Sequence, residues 1–136
     1  MQRSQLYING EWVSPNGDGA IDVINPTTEE VIGSVPIASQ SDVDSAVAAA
    51  KAVFPSWSQS SIEERIGFLN AISGAFKERG EELAQLITAE VGTPIEYSRM
   101  AMVGTPRVVA RSYAKILEEF SWEEEVRNSL ILKEPV

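Results

Sequence analysis

The spacing of apolar residues changes once along this 136-residue chain, and the change divides it into a β part and a helical part. Leu6-Tyr7-Ile8 and Glu11-Trp12-Val13 flank the pair Asn9-Gly10. An Asn-Gly pair between β-prone runs is the strongest short-range signal for a hairpin with a two-residue turn. Ser14 to Gly19 is rich in turn formers. Ile21-Asp22-Val23-Ile24 and Val31-Ile32-Gly33-Ser34-Val35 then read as strands around Asn25-Pro26-Thr27-Thr28-Glu29. The span 5–36 is therefore predicted to be mostly β.

From Ser41 the period is helical, through Val43, Ala46, Val47, Ala50 and Val53, and Pro55 is expected to stop it. Ser61-Ile62-Glu63-Glu64 has the form of a capping box. Ile62, Ile66, Leu69, Ile72 and Phe76 supply the apolar stripe of a second helix ending near Gly80. A third helix carries Leu83, Leu86 and Ile87 and closes at Gly92, where a left-handed cap is wanted. Thr93 as cap, Pro94 at the first helical position and Glu96 open a fourth that runs toward Phe120, with a kink or interruption expected at Pro106. Past an acidic stretch around Phe120 and Trp122, Ser129 to Lys133 reads as a last strand. An apolar terminal strand has two bare edges, so it is expected to pair with something outside this chain or with another subunit.

Eleven Lys and Arg against twenty Asp and Glu give a net charge of −9, which phosphate backbones and anionic lipid surfaces repel. The first residues lack the basic start and apolar run of a signal peptide, and no apolar stretch approaches a membrane span. The expectation is a soluble, cytoplasmic protein that binds neither nucleic acid nor membrane. Cysteine and histidine are both absent, which removes thiol nucleophiles, imidazole bases and the common zinc ligands together.

Candidate chemistry is correspondingly thin. None of the nine glycines forms either common phosphate-binding pattern. Asp42 and Asp44 resemble the start of a calcium loop but lack its later ligands, and the reading preferred for them is first-turn residues that suit the helix dipole. Glu63, Glu64, Glu78, Glu81, Glu82 and Glu90 offer carboxylate pairs for acid–base work, against a solvated polar face. The glutamates around Trp122 read either as a patch for a basic partner or as a soluble connection. Trp57 and Trp12 read as ring-burying corner residues rather than exposed recognition aromatics.

The order of these pieces resembles the aldehyde dehydrogenase superfamily along essentially the whole chain. Tyr7 to Val13 resembles its opening hairpin. Ile24-Asn25-Pro26-Thr27-Thr28-Glu29-Glu30-Val31-Ile32 resembles its Asn-Pro-(Ala/Thr)-(Thr/Asn)-Gly-Glu-Val-Ile segment, with Glu30 where glycine is commoner. Asp42-Val43-Asp44 with Ala46 to Ala50 and then Phe54 to Trp57, Glu64-Arg65 with Leu69, Glu81 to Ala84, and Glu90-Val91-Gly92-Thr93-Pro94 follow in the family's order. The usual Gly-Lys-Pro is Gly-Thr-Pro here. Lys133-Glu134-Pro135-Val136 resembles the strand end before the family's first nucleotide-binding strand.

The resemblance implies the α/β class and the amino-terminal part of the aldehyde dehydrogenase-like fold: a β-rich lead-in, helices over 41–120 and a final arm strand. Residues 1–127 would belong to the dinucleotide-binding domain and 128–136 to an arm that crosses to another subunit of a homo-dimer or tetramer. The implied activity is oxidation of an aldehyde to a carboxylic acid with NAD or NADP as hydride acceptor. In that chemistry a cysteine thiolate attacks the aldehyde, hydride leaves to the nicotinamide, and a glutamate activates water to release the acyl group. Those residues and the glycine-bearing dinucleotide motif lie beyond the family's equivalent of Val136. No position here inherits a catalytic or cofactor-binding role, and the segment alone is expected to be inactive. Several family members bind a monovalent cation through oxygens at positions matching Val23, Ile24 and Glu90, although aspartate is commoner at the last. The plainer reading of Glu90 is a solvated carboxylate at a capped helix end. The alternative function is a non-catalytic helical binding module derived from the same fold.

Overall fold

The computed structural model of the chain describes residues 4–133. Strands β1 (Leu6–Ile8) and β2 (Glu11–Val13) form the expected hairpin, in register Leu6 to Val13. Its turn holds Asn9 at φ 54° and Gly10 at φ 82°, the two positive values that match a tight turn to the twist of its strands. Strands β3 (Ala20–Ile24) and β4 (Val31–Pro36) pair antiparallel as a second hairpin, with a bulge at Ile32 opposite Val23 and Ile24. Asn25 organises the intervening loop, its side-chain oxygen accepting from Thr27 N at 2.8 Å.

Helix α1 (Gln40–Ser58) contains Pro55 rather than stopping at it. Pro55 removes the hydrogen bond to Lys51, yet it lies in the last turn and Lys51 is exposed, so the loss is small. Serine hydroxyls add bonds in that turn: Ser56 Oγ donates to Val53 O and Ser58 Oγ to Pro55 O. Helix α2 (Ile62–Glu78) begins with the predicted capping box: Ser61 Oγ accepts from Glu64 N at 3.1 Å, and Glu64 Oε2 accepts from Ser61 N at 2.8 Å. Helix α3 (Gly80–Val91) ends at Gly92, in the left-handed conformation at φ 77°.

The fourth helix departs most from expectation. A single turn, α4 (Ile95–Tyr97), leads into a π-helical segment (Ser98–Val103) and then α5 (Gly104–Glu119). Thr93 is not the cap: Pro94 takes that place without a side-chain bond, and the buried Thr93 hydroxyl has no partner among the described residues. Pro106 does interrupt the helix, but upstream of itself. Its missing N–H leaves Met102 O without the usual partner, and the widened turn spans that carbonyl.

Strands β5 (Glu123–Val126) and β6 (Ser129–Leu132) form a third hairpin. Two expectations are corrected here. The acidic stretch is a strand rather than a loose connection, and β6 has one edge paired within the chain. Arg127 at φ 57° makes the short turn that lets the two meet. Glu134, Pro135 and Val136, which carried part of the family resemblance, lie outside the described residues, as do the first three of the amino terminus.

Packing is carried by small residues. Helix α2 lies along α5, and α3 along the π-helical segment. Ala84, Val103, Ala110 and Ala114 are the buried apolar residues among those described, beside a fully buried Ser98 whose hydroxyl bonds Thr88 Oγ1 at 2.9 Å. Large side chains are mostly half exposed. Trp57 sits at the corner between α1 and α2, tilted against Phe68 and under Arg65, but at 41% exposed it does not bury its ring there as expected. Trp12, expected to seal a corner, is 54% exposed and packs on Tyr7. A compact chain of 14.8 kDa exposes about 7,000 Å². This one exposes 10200 Å². Among the described residues, no helix is long and apolar enough to cross a membrane.

Candidate functional site

Val23 and Ile24 lie at the end of β3, opposite the bulge that Ile32 makes in β4, and Glu90 lies in the last turn of α3. Both keep strand partners across that bulge, Val23 with Gly33 and Ile24 with Val31. The two elements meet just beyond these residues: a Cβ on Gly92 would lie 2.9 Å from Pro26 Cγ, so the end of α3 sits against the loop that follows Ile24. The helix terminus brings carbonyl oxygens and the negative end of its dipole to that junction. Backbone carbonyls, a carboxylate and a helix carboxyl end are the donors a hard monovalent cation takes. Among the described residues, no group of three or more Asp, Glu, His or Cys is gathered for a metal ion. A cation at this junction would therefore depend mainly on backbone oxygens.

Asp42 lies in the first turn of α1, as preferred for it, and does more there than suit the helix dipole. It is buried, and its carboxylate accepts from Asn16 N at 3.0 Å, Asn16 Nδ2 at 2.7 Å, Ser39 N at 2.8 Å and Ser39 Oγ at 2.9 Å. Ser39 and Asp42 form a capping box at the start of α1, and Asn16 ties the β2–β3 loop to it. The Ser39 amide, ahead of the Ser39 hydroxyl and the Asn16 donors, holds the carboxyl down at about 2, against desolvation. With its lone pairs so engaged, Asp42 offers nothing to calcium. Asp44 is exposed and accepts from Gln40 Nε2. The pattern Ser39-x-x-Asp42 before an apolar run is a readable signal; Asn16, 26 residues away, gives none.

The six helical glutamates that could serve acid–base work are all exposed. Glu81 accepts two bonds from Arg99, at 2.7 and 2.8 Å, and these, then Gln85, hold its carboxyl at about 2. The Glu81 bonds pin the π-helical segment to α3; Arg99 also donates to Glu96 of α4, and its own pKa is raised by both carboxylates. These are structural ties.

The carboxyl end of α5 carries an apolar groove of about 330 Å³ lined by Leu69, Tyr113, Ile116, Leu117, Phe120 and Trp122. Phe120 and Trp122 meet edge to face at 4.9 Å. The Trp122 indole N–H is shielded from solvent and has no acceptor among the described residues.

Comparison with known proteins gives one answer along the chain. A model of the aldehyde dehydrogenase family matches residues 12–136. A Staphylococcus aureus (strain USA300) protein named "Putative aldehyde dehydrogenase" is 39% identical over 135 residues, which make up 98% of this chain and 28% of that protein. The crystal structure of a mutant aldehyde dehydrogenase C from Pseudomonas syringae, complexed with NAD+ and octanal, superposes with a TM-score of 0.92 at 37% identity. It covers 97% of this chain and 27% of that one. A betaine aldehyde dehydrogenase point mutant from Staphylococcus aureus, complexed with NAD+, gives 0.88 at 32% identity over 97% of this chain and 28% of its own. The chain thus spans under a third of the length of the relatives it matches.

Proposed function

This chain belongs to the aldehyde dehydrogenase family, and from that membership we propose that it is the amino-terminal portion of an enzyme that oxidises an aldehyde to a carboxylic acid with NAD or NADP as hydride acceptor. The observation that carries the reading is the match over 12–136 by a family model, in a chain without cysteine or histidine. The 136 residues supply the lead-in strands and the helices α1 to α5, while thiol chemistry and dinucleotide binding belong to the part of the fold they do not contain. Alone they do not turn over aldehyde.

Residues 1–127 would be the amino-terminal part of the dinucleotide-binding domain, and 128–136 a strand of an arm used in a homo-dimer or tetramer. The pairing of β5 with β6 supports extending that arm back to Glu123. The junction of the end of β3 with the end of α3 would hold a monovalent cation through Val23, Ile24 and Glu90. Replacing potassium by choline at constant ionic strength should lower the melting temperature, less so in Glu90→Ala.

The test is the intact mass of the polypeptide from its native source, followed by NADH formation from octanal and NAD+. A mass several times 14.8 kDa with aldehyde-dependent NADH formation is expected, and the purified 136-residue chain should give none. A native mass equal to that of this chain overturns the reading.

A further inference from the structure

We infer that the π-helical segment Ser98–Val103 is a register lock, in which one extra residue held by Pro106 decides which of two apolar stripes of α5 faces α2 and α3.

The two stripes lie one residue apart. Val103, Ala110 and Ala114 are buried, and Leu117, in line with them, is half-buried. Met102, Val109, Tyr113 and Ile116, each one position earlier, are 39%, 43%, 57% and 52% exposed. Successive residues of an α-helix stand about 100° apart around its axis. One residue more or fewer upstream therefore exchanges one stripe for the other along the whole of α5.

Ser98 fixes the phase upstream. Its hydroxyl meets Thr88 Oγ1 at 2.9 Å, so it faces α3. Val103 faces α3 as well, at its first residue, where a Cβ on Gly80 would lie 3.5 Å from Val103 Cγ1. Residues five apart in a regular α-helix point about 140° away from each other, so both could not face α3. A π turn, bonded from i to i+5, sets one nearly above the other. A continuous α-helix from Ser98 would instead turn Met102, Val109, Tyr113 and Ile116 inward, since they follow Ser98 at helical spacing.

Three features hold the wider turn. Pro106 cannot donate to Met102 O, and its ring clashes with that carbonyl in a regular helix. Arg99 ties the turn to α3 through its two bonds to Glu81. A Cβ on Gly104 would stand 3.4 Å from Arg99 O, so glycine suits the close backbone there. The registers also differ in what they bury. The locked one sets alanines where α5 lies along α2, which lets the two helices approach closely. The other would bring Val109 and Tyr113 there and hold the helices farther apart. Helix α5 is thus a two-position element rather than one that bends continuously.

The experiment is hydroxyl-radical footprinting of the chain, read at single residues by mass spectrometry, with Trp12 of the β1–β2 hairpin as internal reference. In the native chain Tyr113 and Met102 should be oxidised readily and Val103 little. Pro106→Ala restores the missing donor and lets the α-helix run on. Oxidation of Tyr113 and Met102 should then fall about fivefold or more as they turn inward, and that of Val103 should rise by a similar factor. Deleting Met100 in addition removes the extra residue and returns Ser98 and Val103 to one face, so the native pattern should come back. Circular dichroism reports whether each variant is folded. The inference is overturned if folded Pro106→Ala keeps the native pattern, or if the deletion leaves the shifted pattern in place. Should Pro106→Ala fail to fold, the double variant decides. A folded chain with the native pattern supports the lock, whereas one that again fails to fold, or folds with the shifted pattern, overturns it.

Discussion

At the amino end of α1 four donors converge on the Asp42 carboxylate, whereas at the carboxyl end of α5 an apolar groove closes around an indole N–H that has no acceptor among the described residues. The first region satisfies its own polar groups and joins segments 26 residues apart. The second leaves large apolar side chains in water and a donor unpaired, which is a costly arrangement for a finished surface. The contrast separates a region whose polar groups are satisfied from one whose apolar side chains stay in water and whose indole donor is unpaired among the described residues. Substitutions in the two regions should therefore behave in opposite ways.

The largest effect is expected at Asp42. Asp42→Ala strands the Asn16 and Ser39 donors in a part-buried place and removes the cap of α1, so its melting temperature should fall further than that of Gly92→Ala, Ser61→Ala or either groove variant. Acid should imitate it. The carboxyl titrates at about 2 in the folded chain and near 3.8 when free, so the unfolded chain takes up the proton first as pH falls. Its stabilisation is complete above about pH 4 and is lost as pH drops toward 2. Glu81, lowered from 4.5 to about 2 mainly by its bonds to Arg99, adds to the same window. Thermal melts at pH 7 and pH 3 should show a smaller acid loss in Asp42→Asn than in the native chain; an equal loss would assign the acid sensitivity elsewhere.

Next in size is Gly92→Ala. Its φ of 77° is strained for any residue with a side chain, and the added methyl would meet Pro26. A loss of about 2 kcal/mol in denaturant unfolding is expected. Ser61→Ala, which removes half of the capping box of α2 in full view of solvent, should lose about 1 kcal/mol. If Ser61→Ala proved worse than Gly92→Ala, local capping would outweigh the junction between α3 and the β3–β4 loop, and that junction would be a weak support for any cation.

Most of the element order is legible in the residues themselves. Asn9-Gly10, Ser61-x-x-Glu64 and Gly92 each carry a local signal whose physics acts within four residues, and the helices and hairpins form where those signals place them. The departures arise from more distant or cumulative effects. Pro55 breaks less than a proline usually does, because it sits in the last turn and the carbonyl it leaves free belongs to the exposed Lys51. Pro106 disturbs its helix as expected, but the consequence is displaced upstream into Ser98–Val103, because the lost bond belongs to the residue four positions earlier. The acidic run Glu123-Glu124-Glu125 has poor strand propensity and forms β5 only because β6 pairs with it. The three residues of the candidate cation site come from a family resemblance. The approach of Gly92 to Pro26, 66 positions earlier, has no local signature.

The smallest effects on stability should come from the groove, and they sharpen the comparison most. Ile116 is half exposed, so Ile116→Asp should change unfolding by no more than about 0.5 kcal/mol, the range of ordinary surface substitutions. Trp122→Phe keeps an aromatic ring against Phe120 and removes a buried donor that has no acceptor among the described residues. Deleting an unsatisfied donor relieves a desolvation penalty, so stability of the isolated chain should stay level or rise by up to about 1 kcal/mol, offset in part by the smaller ring. A loss of several kcal/mol in either variant would mean that the groove is part of the chain's own core, and the distinction between the two regions would fail. Level or raised stability in both variants would show that these half-exposed side chains contribute little to the chain's own fold.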